Sequence, residues 1–504
     1  MEFFQRILFY SRESPILFTQ LYFWGFLAFS LFVYSFFYKK MTLRNTYLFI
    51  ISLFFFYKTS GVFVILLIFT ILISYYLAIL LYRSKDKKKR IVYITLGIVF
   101  NLSLLAYYKY TYFLVNIINS LFDTHLTIVD VLGVMSNFLF DTGFDVSKII
   151  LPAGISFFIF HAISYMVDVY RDKLEPVKSI ADYGFYVSFF PQLVAGPIIR
   201  ASEFIPQTYR PYNLSKFEFG HAIMLILNGM IKKMIFADYL SINFVDRVFT
   251  DPSLYSGFEN LMALFGYSLQ VYCDFSGYTD IAMGVALLFG FKIPTNFNSP
   301  YKALNVGDFW KRWHISLSSW LKDYLYIPLG GNRGGKLRTE MNLMLTMLLG
   351  GLWHGADLKF VIWGGLNGLG IVIYKYWRKI SPYENNKWMV TRVWKIFLTF
   401  SFITFTRIFF RASNMDIVGA IFRQLGKGID LSLALDVMFS YRKIFLVMIA
   451  GYILHWLPAR IKEYYRGVFI RTPVVLKIIV CVLVVVIIYQ AHTSILQPFI
   501  YFQF

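Results

Sequence analysis

Apolar residues occur in long runs along almost the whole chain, with short polar loops between them. A run of roughly 20 apolar residues is long enough to cross the ~30 Å hydrocarbon core of a bilayer. Clear examples are residues 16–38, 62–82, 91–108, 149–170, 343–363 and 473–489. This pattern predicts an all-α, polytopic membrane protein with about ten to twelve transmembrane or re-entrant helices.

The middle of the chain, residues 191–370, interrupts this pattern. Glycine and proline recur in residues 190–197 and 330–335 and at Gly350 and Gly351, and ionisable residues stand inside apolar sequence. Irregular backbone at membrane depth is tolerated only where it is buried in protein or lines a water-filled cavity, and charges placed there indicate function. We therefore expect the functional site in this region.

Composition and charge agree with a membrane protein. Of 504 residues, 58% are hydrophobic, and 49 Lys and Arg against 28 Asp and Glu give a net charge of +21. The basic residues concentrate in short loops such as residues 83–90, which places those loops in the cytoplasm beside anionic lipid and gives no reason to expect nucleic acid. With no internal repeat or linker, we expect one membrane domain over residues 1–504, with the tail 491–504 outside the cytoplasm.

His354 is the foremost candidate for chemistry. It follows Gly350 and Gly351 and precedes Gly355 in an otherwise apolar stretch. An imidazole at membrane depth loses its hydration, and with a pKa near 6.5 it can accept a proton from an attacking hydroxyl. The small residues would let a substrate approach the backbone closely. A hydrogen-bonded core histidine is the alternative.

His314 lies in a second unusual stretch, residues 308–324. On a helical wheel this stretch forms one apolar stripe that includes Trp313 and Trp320, with Arg312 and Asp323 opposite and His314 at the border. The pattern predicts a continuous helix at the membrane interface. Its histidine either takes part in chemistry or is incidental.

Asp274 and Asp280 lie in an apolar helical stretch and need hydrogen bonds or a cationic partner there. They either orient a histidine or hold helices together, and the scaffold role is favoured. Cys273 and Cys481 are predicted to be buried thiols, and no metal site is expected. The glycine-rich basic stretch 330–338 lacks the Walker spacing and is a weak candidate for contacting the phosphates of a donor. Neither a Gly-x-Ser-x-Gly elbow nor a His-Glu-x-x-His pair occurs.

Five stretches of the middle region form a series of motifs: Phe-Pro-Gln-Leu-Val-Ala-Gly-Pro-Ile at 190–198, Asp-Phe-Ser-Gly-Tyr-Thr-Asp-Ile-Ala at 274–282, Asn-Phe-Asn-Ser-Pro-Tyr at 296–301, Phe-Trp-Lys-Arg-Trp-His-Ile-Ser-Leu-Ser at 309–318 and Leu-Trp-His-Gly at 352–355. Together they resemble the membrane-bound O-acyltransferase (MBOAT) family, above all its bacterial branch that acetylates alginate and peptidoglycan. They follow the family's order within residues 151–370, which the resemblance makes the catalytic core.

The resemblance implies a funnel-shaped helical core in the bacterial inner membrane. It also implies an O-acyltransferase that takes an acetyl group from cytoplasmic acetyl-CoA, with no permanently bound cofactor. The family's essential histidine corresponds to His354 and its second histidine to His314. Candidates for binding or orienting the substrate or donor are Asp274, Asp280, Asn298, Lys311, Arg312 and Trp353.

The C-terminus carries a further motif. Residues 499–504 read Phe-x-Tyr-x-x-Phe, similar to a short C-terminal motif of the teichoic-acid D-alanylation system, in which the tyrosine is thought to carry the acyl group. Tyr501 is therefore a candidate acyl carrier. It would pass the group to an extracytoplasmic, esterase-like (SGNH-like) acetyltransferase partner that modifies a cell-envelope polysaccharide. An aromatic tail resting at the interface is the alternative.

Two other functions remain open on the sequence. D-alanyl transfer to teichoic acid would use the same constellation with a donor on a carrier protein. A transporter or flippase would also contain intramembrane charges and broken helices, but it predicts inverted repeats, and none is found.

Overall fold

The computed structural model of the chain describes residue 10 and residues 16–140 and 145–491. Within these residues every regular element is a helix, which confirms the all-α prediction. The chain divides into two compact units, Met1–Pro211 with Gly355–Asp357, and Tyr212–His354 with Leu358–Phe504. One domain over residues 1–504 stays a prediction, and nearly all of the tail 491–504, including Tyr501, lies outside the described residues.

The first unit contains ten helices in its described part. In chain order they are α1 (Leu21–Phe37), α2 (Met41–Ser60), α3 (Val64–Arg83), α4 (Lys87–Leu105), α5 (Thr111–Phe122), α6 (Val131–Phe140), α7 (Ile155–Tyr170), α8 (Ile180–Ser188), α9 (Phe190–Leu193) and α10 (Ala201–Thr208). Helices α2 and α3 are separated at Gly61, whose φ of +62° is a conformation that glycine adopts without strain.

The second unit holds both predicted histidines. Its helices are α11 (Lys216–Thr250, with π-helical turns at Ile231–Ala237 and Ser241–Val245), α12 (Gly257–Leu288), α13 (Val306–Trp310), α14 (Ile315–Leu321), α15 (Lys336–His354), α16 (Leu358–Ile380), α17 (Met389–Arg411), α18 (Met415–Gly426), α19 (Leu431–Ser440), α20 (Arg442–Trp456), α21 (Ala459–Arg471) and α22 (Val474–Ala491).

Among the residues that the structure describes, four helical segments are long and apolar enough to cross a membrane, or up to six if each of two bent helix pairs is one span. The four are Met41–Arg83, Lys87–Phe122, Lys216–Thr250 and Met389–Arg411. This is fewer than the ten to twelve embedded segments that the apolar runs predict. The apolar helices α1 and α7, with 17 and 16 residues, fall short of a full span.

Helices α11 and α12 form the most extensive contact of the second unit. Each begins with a capping box, Ser215 with Glu218 and Ser256 with Glu259, which satisfies the first backbone N–H groups. They approach closely at Gly229, where a Cβ atom would lie 2.5 Å from the carbonyl oxygen of Gly277. Small residues at a helix crossing allow this close backbone packing.

The length of the apolar run 343–363 suggests a single span, but the structure divides it between two helices. Helix α15 ends at His354, and α16 begins at Leu358 and packs back against α15. A Cβ atom on Gly351 would lie 2.2 Å from the carbonyl oxygen of Phe360, and one on Gly364 would lie 2.3 Å from that of Met347. Gly351 is therefore explained by helix packing, where the sequence pointed to close approach of a substrate. The crossing places His354 at the end of a tightly held helix.

Candidate functional site

His354 is the last residue of α15 and is buried, with 3% of its surface exposed. Its ring packs edge-on against Trp363 of α16 and Phe410 of α17, with ring centroids 5.1 and 5.2 Å away. Three helices of the second unit thus fix the imidazole in an aromatic surrounding. Such a ring is shielded from bulk water, which strengthens its interactions with any polar group that reaches it.

His314 is also buried, but the helix predicted around it is wrong. Instead of one helix over 308–324, the chain forms α13, a turn at residues 311–314, and then α14. His314 has a φ of +45° and stands at the N-cap of α14. The periodicity of the tryptophans shows an apolar stripe but carries no information about a left-handed residue. The break turns His314 fully inward, with 0% exposed.

The orientation of the His314 ring is fixed by a backbone hydrogen bond. The N–H of Leu317 donates to Nδ1 at 3.3 Å, so Nδ1 holds no proton and a neutral ring carries its proton on Nε2. His314 lies in a turn outside the candidate spans, and burial lowers the pKa of its imidazole to about 3. The ring is therefore neutral at physiological pH and presents an N–H donor at Nε2.

Asn296 holds this turn in place, and the sequence reading missed its role. Its side-chain oxygen accepts a hydrogen bond from the N–H of Ser316 at 3.0 Å, and its carbonyl accepts one from Ile315, also at 3.0 Å. The side chain is buried, with 1% exposed. The only signal in the sequence was its place in the stretch 296–301, where Asn298 was chosen instead.

The structure brings the two predicted histidines together. The ring centroids of His314 and His354 are 6.4 Å apart and steeply inclined. Trp353, another predicted site residue, is buried and packs edge-on against both rings, at 6.0 Å from His314 and 5.0 Å from His354. The two imidazoles therefore lie close together in a buried part of the second unit.

A small cavity of about 20 Å³ opens beside His354. Its lining includes the rings of His354, Trp363 and Phe410 and the polar residues Asn367 and Arg407. A volume of this size holds about one water-sized group. The cavity therefore places one small polar group in reach of an imidazole and a guanidinium.

A larger, apolar cavity of about 270 Å³ lies between α14, α15 and α16. Gly350, one turn before His354, and Trp363 are in its wall, and Trp363 also lines the small cavity. Lys322 and Tyr326 line it as well. The hydroxyl of Tyr326 donates to the side-chain oxygen of Asn332 at 2.6 Å, which ties the cavity to the glycine-rich stretch 330–338.

Arg407 was not identified from the sequence, although it stands inside the apolar run of α17. Its side chain is 4% exposed, and Nη1 donates to the hydroxyl of Tyr301 at 2.6 Å. A charge in a candidate span is a functional signal by itself. The reading of the middle region as residues 191–370 stopped short of it.

Asp274 and Asp280 bind lysines of the neighbouring helix. Lys233 Nζ lies 2.6 Å from Asp274 Oδ1 and 2.8 Å from Asp238 Oδ1, and Lys232 Nζ lies 2.6 Å from Asp280 Oδ2. Both lysines belong to the π-helical turn of α11, which presents them side by side to α12. These pairs match the favoured scaffold reading, and neither aspartate lines either cavity.

The remaining predicted residues lie at the edge of the site. Lys311 is exposed, and Arg312 pairs with Asp308, with Nε 2.8 Å from Oδ1. Asn298 is exposed and meets Arg312 through the backbone, its N–H donating to the Arg312 carbonyl at 3.0 Å. A donor-binding role for these three stays a prediction. In the described ranges, no cluster of three or more His, Cys, Asp or Glu side chains could hold a metal ion.

Comparison with known proteins gives a consistent result. Residues 170–414 match the family model of the membrane-bound O-acyltransferases. The peptidoglycan O-acetyltransferase of Helicobacter pylori is 34% identical over 418 residues, which are 78% of this chain and 75% of that protein.

Two further relatives share less of their length with this chain. The probable alginate O-acetylase AlgI of Pseudomonas syringae pv. tomato is 38% identical over 344 residues, 68% of this chain and 61% of the relative. The teichoic acid D-alanyltransferase of Bacillus subtilis is 27% identical over 267 residues, 50% of this chain and 66% of that protein. The chain thus spans about three fifths of the alginate relative.

Proposed function

Because the chain belongs to the membrane-bound O-acyltransferase family, we propose that it O-acetylates a cell-envelope polysaccharide. The acetyl group would come from cytoplasmic acetyl-CoA, cross the bacterial inner membrane, and reach the polysaccharide through an extracytoplasmic partner protein. The observation that carries this proposal is the pair of buried imidazoles, His354 and His314, whose ring centroids are 6.4 Å apart, with His354 lining a small cavity.

The proposed chemistry requires a base that is shielded from water. His354 takes the proton of the attacking hydroxyl as a general base. Exclusion of water also protects the acyl thioester from hydrolysis. His314, neutral and with its proton on Nε2, is suited to donate a hydrogen bond to the substrate.

The larger cavity supports a thioester donor. Its apolar wall runs from Tyr326, which is tied to the glycine-rich stretch 330–338, to Gly350 near His354. That stretch carries the exposed Arg333 and Lys336, which suit phosphate groups. A donor with phosphates at one end and a narrow arm bearing the thioester at the other would match this arrangement.

The acceptor is proposed from the relatives. Among those compared above, the one matched over the largest share of both chains acts on peptidoglycan by its name, and the alginate acetylase also modifies a polysaccharide. D-alanyl transfer is the second candidate, favoured by the similarity to the Bacillus subtilis enzyme, but that similarity is weaker and covers half of this chain. Family membership decides against a transporter.

The donor can be tested in inverted membrane vesicles that contain the protein, which expose the cytoplasmic face. We expect radiolabelled acetyl from acetyl-CoA to appear in alkali-labile ester. We also expect R333A/K336A to raise the KM for acetyl-CoA with little change in kcat. The phosphate contacts that this variant loses stabilise the bound donor and the transition state equally.

The exposed Lys427 provides a matched control. K427A removes a surface lysine outside the glycine-rich stretch and should leave KM unchanged. Acyl transfer from a D-alanyl carrier protein, with none from acetyl-CoA, would replace the proposal with the second candidate.

A further inference from the structure

Arg407, in α17, carries a buried charge. In the described part of the chain its guanidinium meets no carboxylate. Nη1 donates to the Tyr301 hydroxyl at 2.6 Å and, at 3.4 Å, to the carbonyl of Ser268. Burying a charge without a counter-charge is costly, and such a group persists in a membrane segment where it has a use.

The guanidinium is held rigidly by aromatic rings. Its Cζ lies 4.6 Å from the centroid of Trp313 and 5.2 Å from that of Tyr301. Stacking and hydrogen bonding from one side fix the plane of the guanidinium. Nε and Nη2 make no hydrogen bond to the residues that the structure describes, and they remain available as donors.

Arg411, one helical turn further on, shows what a structural arginine looks like in the same helix. It forms an ion pair with Asp246, and its Cζ lies 5.3 Å from the centroid of Phe249. Its charge is neutralised, and it does not line the cavity beside His354. Arg407, by contrast, has no ion-pair partner among the described residues and lines the cavity beside His354.

The position of Arg407 connects it to the chemistry of His354. Both residues line the cavity of about 20 Å³, which holds about one oxygen-sized group. We propose that Arg407 is a further catalytic residue, which donates hydrogen bonds to the carbonyl oxygen of the acyl donor as negative charge develops on it. This inference rests on the proposed acyl transfer from a thioester.

The step balances with the groups already described. The acceptor hydroxyl oxygen attacks the thioester carbonyl carbon, a C–O bond forms, and the hydroxyl proton passes to His354. The carbonyl electron pair moves onto oxygen, and Arg407 stabilises the oxyanion. The oxyanion then collapses and the C–S bond breaks. The leaving thiolate takes the proton from His354, which gives an ester and a thiol.

A fixed cation in a water-poor site stabilises such an oxyanion more strongly than the uncharged thioester carbonyl. Loss of one donor of this kind lowers kcat by about 100- to 1000-fold in well-studied enzymes. Because the interaction strengthens only in the transition state, the KM for the donor should change little. A purely structural arginine would reduce the folded fraction and would affect KM and kcat without this separation.

The test compares R407A and R407K with R411A in lipid nanodiscs, each rate normalised to folded protein. We expect R407A to lose about 100-fold or more in kcat for acetyl transfer, with KM for acetyl-CoA within about threefold of wild type. R407K keeps the charge and should lie between R407A and wild type. R411A should retain a kcat close to wild type per folded molecule.

Chemical rescue adds a readout that a structural role would not move. Millimolar guanidinium should raise the rate of R407A at least tenfold, whereas urea, which has the same shape without the charge, should not. The role of Arg407 would be overturned if the kcat of R407A stayed within threefold of wild type. It would also be overturned if guanidinium did not restore the lost activity and the KM for acetyl-CoA rose as much as kcat fell. Absence of acetyl transfer by the wild type would instead reject the proposed function.

Discussion

His314 adopts a backbone conformation that few residues other than glycine occupy. Its φ of +45° is a sparsely populated value, and strained positions of this kind gather at functional sites because the surrounding structure holds them in place. Here the hydrogen bonds from Ser316 and Ile315 to Asn296 fix the turn, and Leu317 fixes the ring. The strained backbone is consistent with a ring whose orientation must be fixed.

Substitutions at His314 separate its backbone role from its ring chemistry. Asparagine tolerates positive φ and can accept the Leu317 hydrogen bond, so H314N should keep most of the stability. H314A loses the cap and should be less stable than H314N by about 1 kcal/mol. Both variants should lose acetyl transfer. Thermal unfolding in detergent and the vesicle assay measure the two effects, and full activity in H314N would exclude chemistry by the ring.

At this scale the sequence located part of the site. The sequence predicts both His354 and His314, and the structure places their buried rings close together. Arg407 lies beyond residues 191–370, where the sequence predicts the site, although a charge inside an apolar run is visible without a structure. Asn296 could not be distinguished from Asn298, since the backbone turn that makes it a partner of Ser316 is a tertiary feature.

The pair of helices α15 and α16 determines where His354 lies. Their backbones are in contact at Gly351 and Gly364, whose Cα atoms leave no room for side chains between them. The length of the apolar run 343–363 suggested a single span, because composition alone does not show that a short break lets the chain fold back. At the level of elements, the sequence therefore predicts helices reliably and their breaks poorly.

Filling this crossing should displace His354. A Cβ atom at residue 351 would lie 2.2 Å from a backbone oxygen, so G351A must move the helices apart, at a cost of about 1–3 kcal/mol. G365A is the matched control, since its Cβ would lie 3.3 Å from the end of the Leu348 side chain, which can shift. Thermal unfolding and acetyl transfer should fall for G351A and stay near wild type for G365A. Equal effects would show that the crossing has no special role.

In the proposed function, the whole molecule carries an acyl group from one face of the membrane to the other. The sequence predicts that the basic loop at residues 83–90 lies on the cytoplasmic side and that the tail 491–504, which follows the apolar helix α22, lies on the opposite side. The C-terminal motif makes Tyr501 in this tail a candidate acyl carrier between His354 and the partner protein. The fold class and the family could be predicted from the sequence, because apolar runs and long motifs in a fixed order can be recognised without knowing the tertiary contacts.

The carrier role of Tyr501 predicts a specific loss. Y501F removes only the hydroxyl that would form the ester, so polysaccharide acetylation in cells should fall to background while protein abundance is unchanged. Y489F, at an exposed tyrosine near the end of α22, is the control and should be silent. Mass spectrometry of the C-terminal peptide should find an added acetyl group only in proteins with Tyr501. Full polysaccharide acetylation by Y501F would rule the carrier role out.

The most direct test concerns His354 itself, the residue on which the proposed proton transfer depends. H354Q keeps much of the volume of the ring but cannot accept and return a proton. It should reduce acetyl transfer per folded molecule at least 100-fold, with thermal unfolding close to wild type. H161Q, at a histidine that is equally buried and accepts a backbone hydrogen bond from Ile199, should lower stability while the rate per folded molecule persists. Unchanged acetyl transfer by a folded H354Q protein would contradict the account.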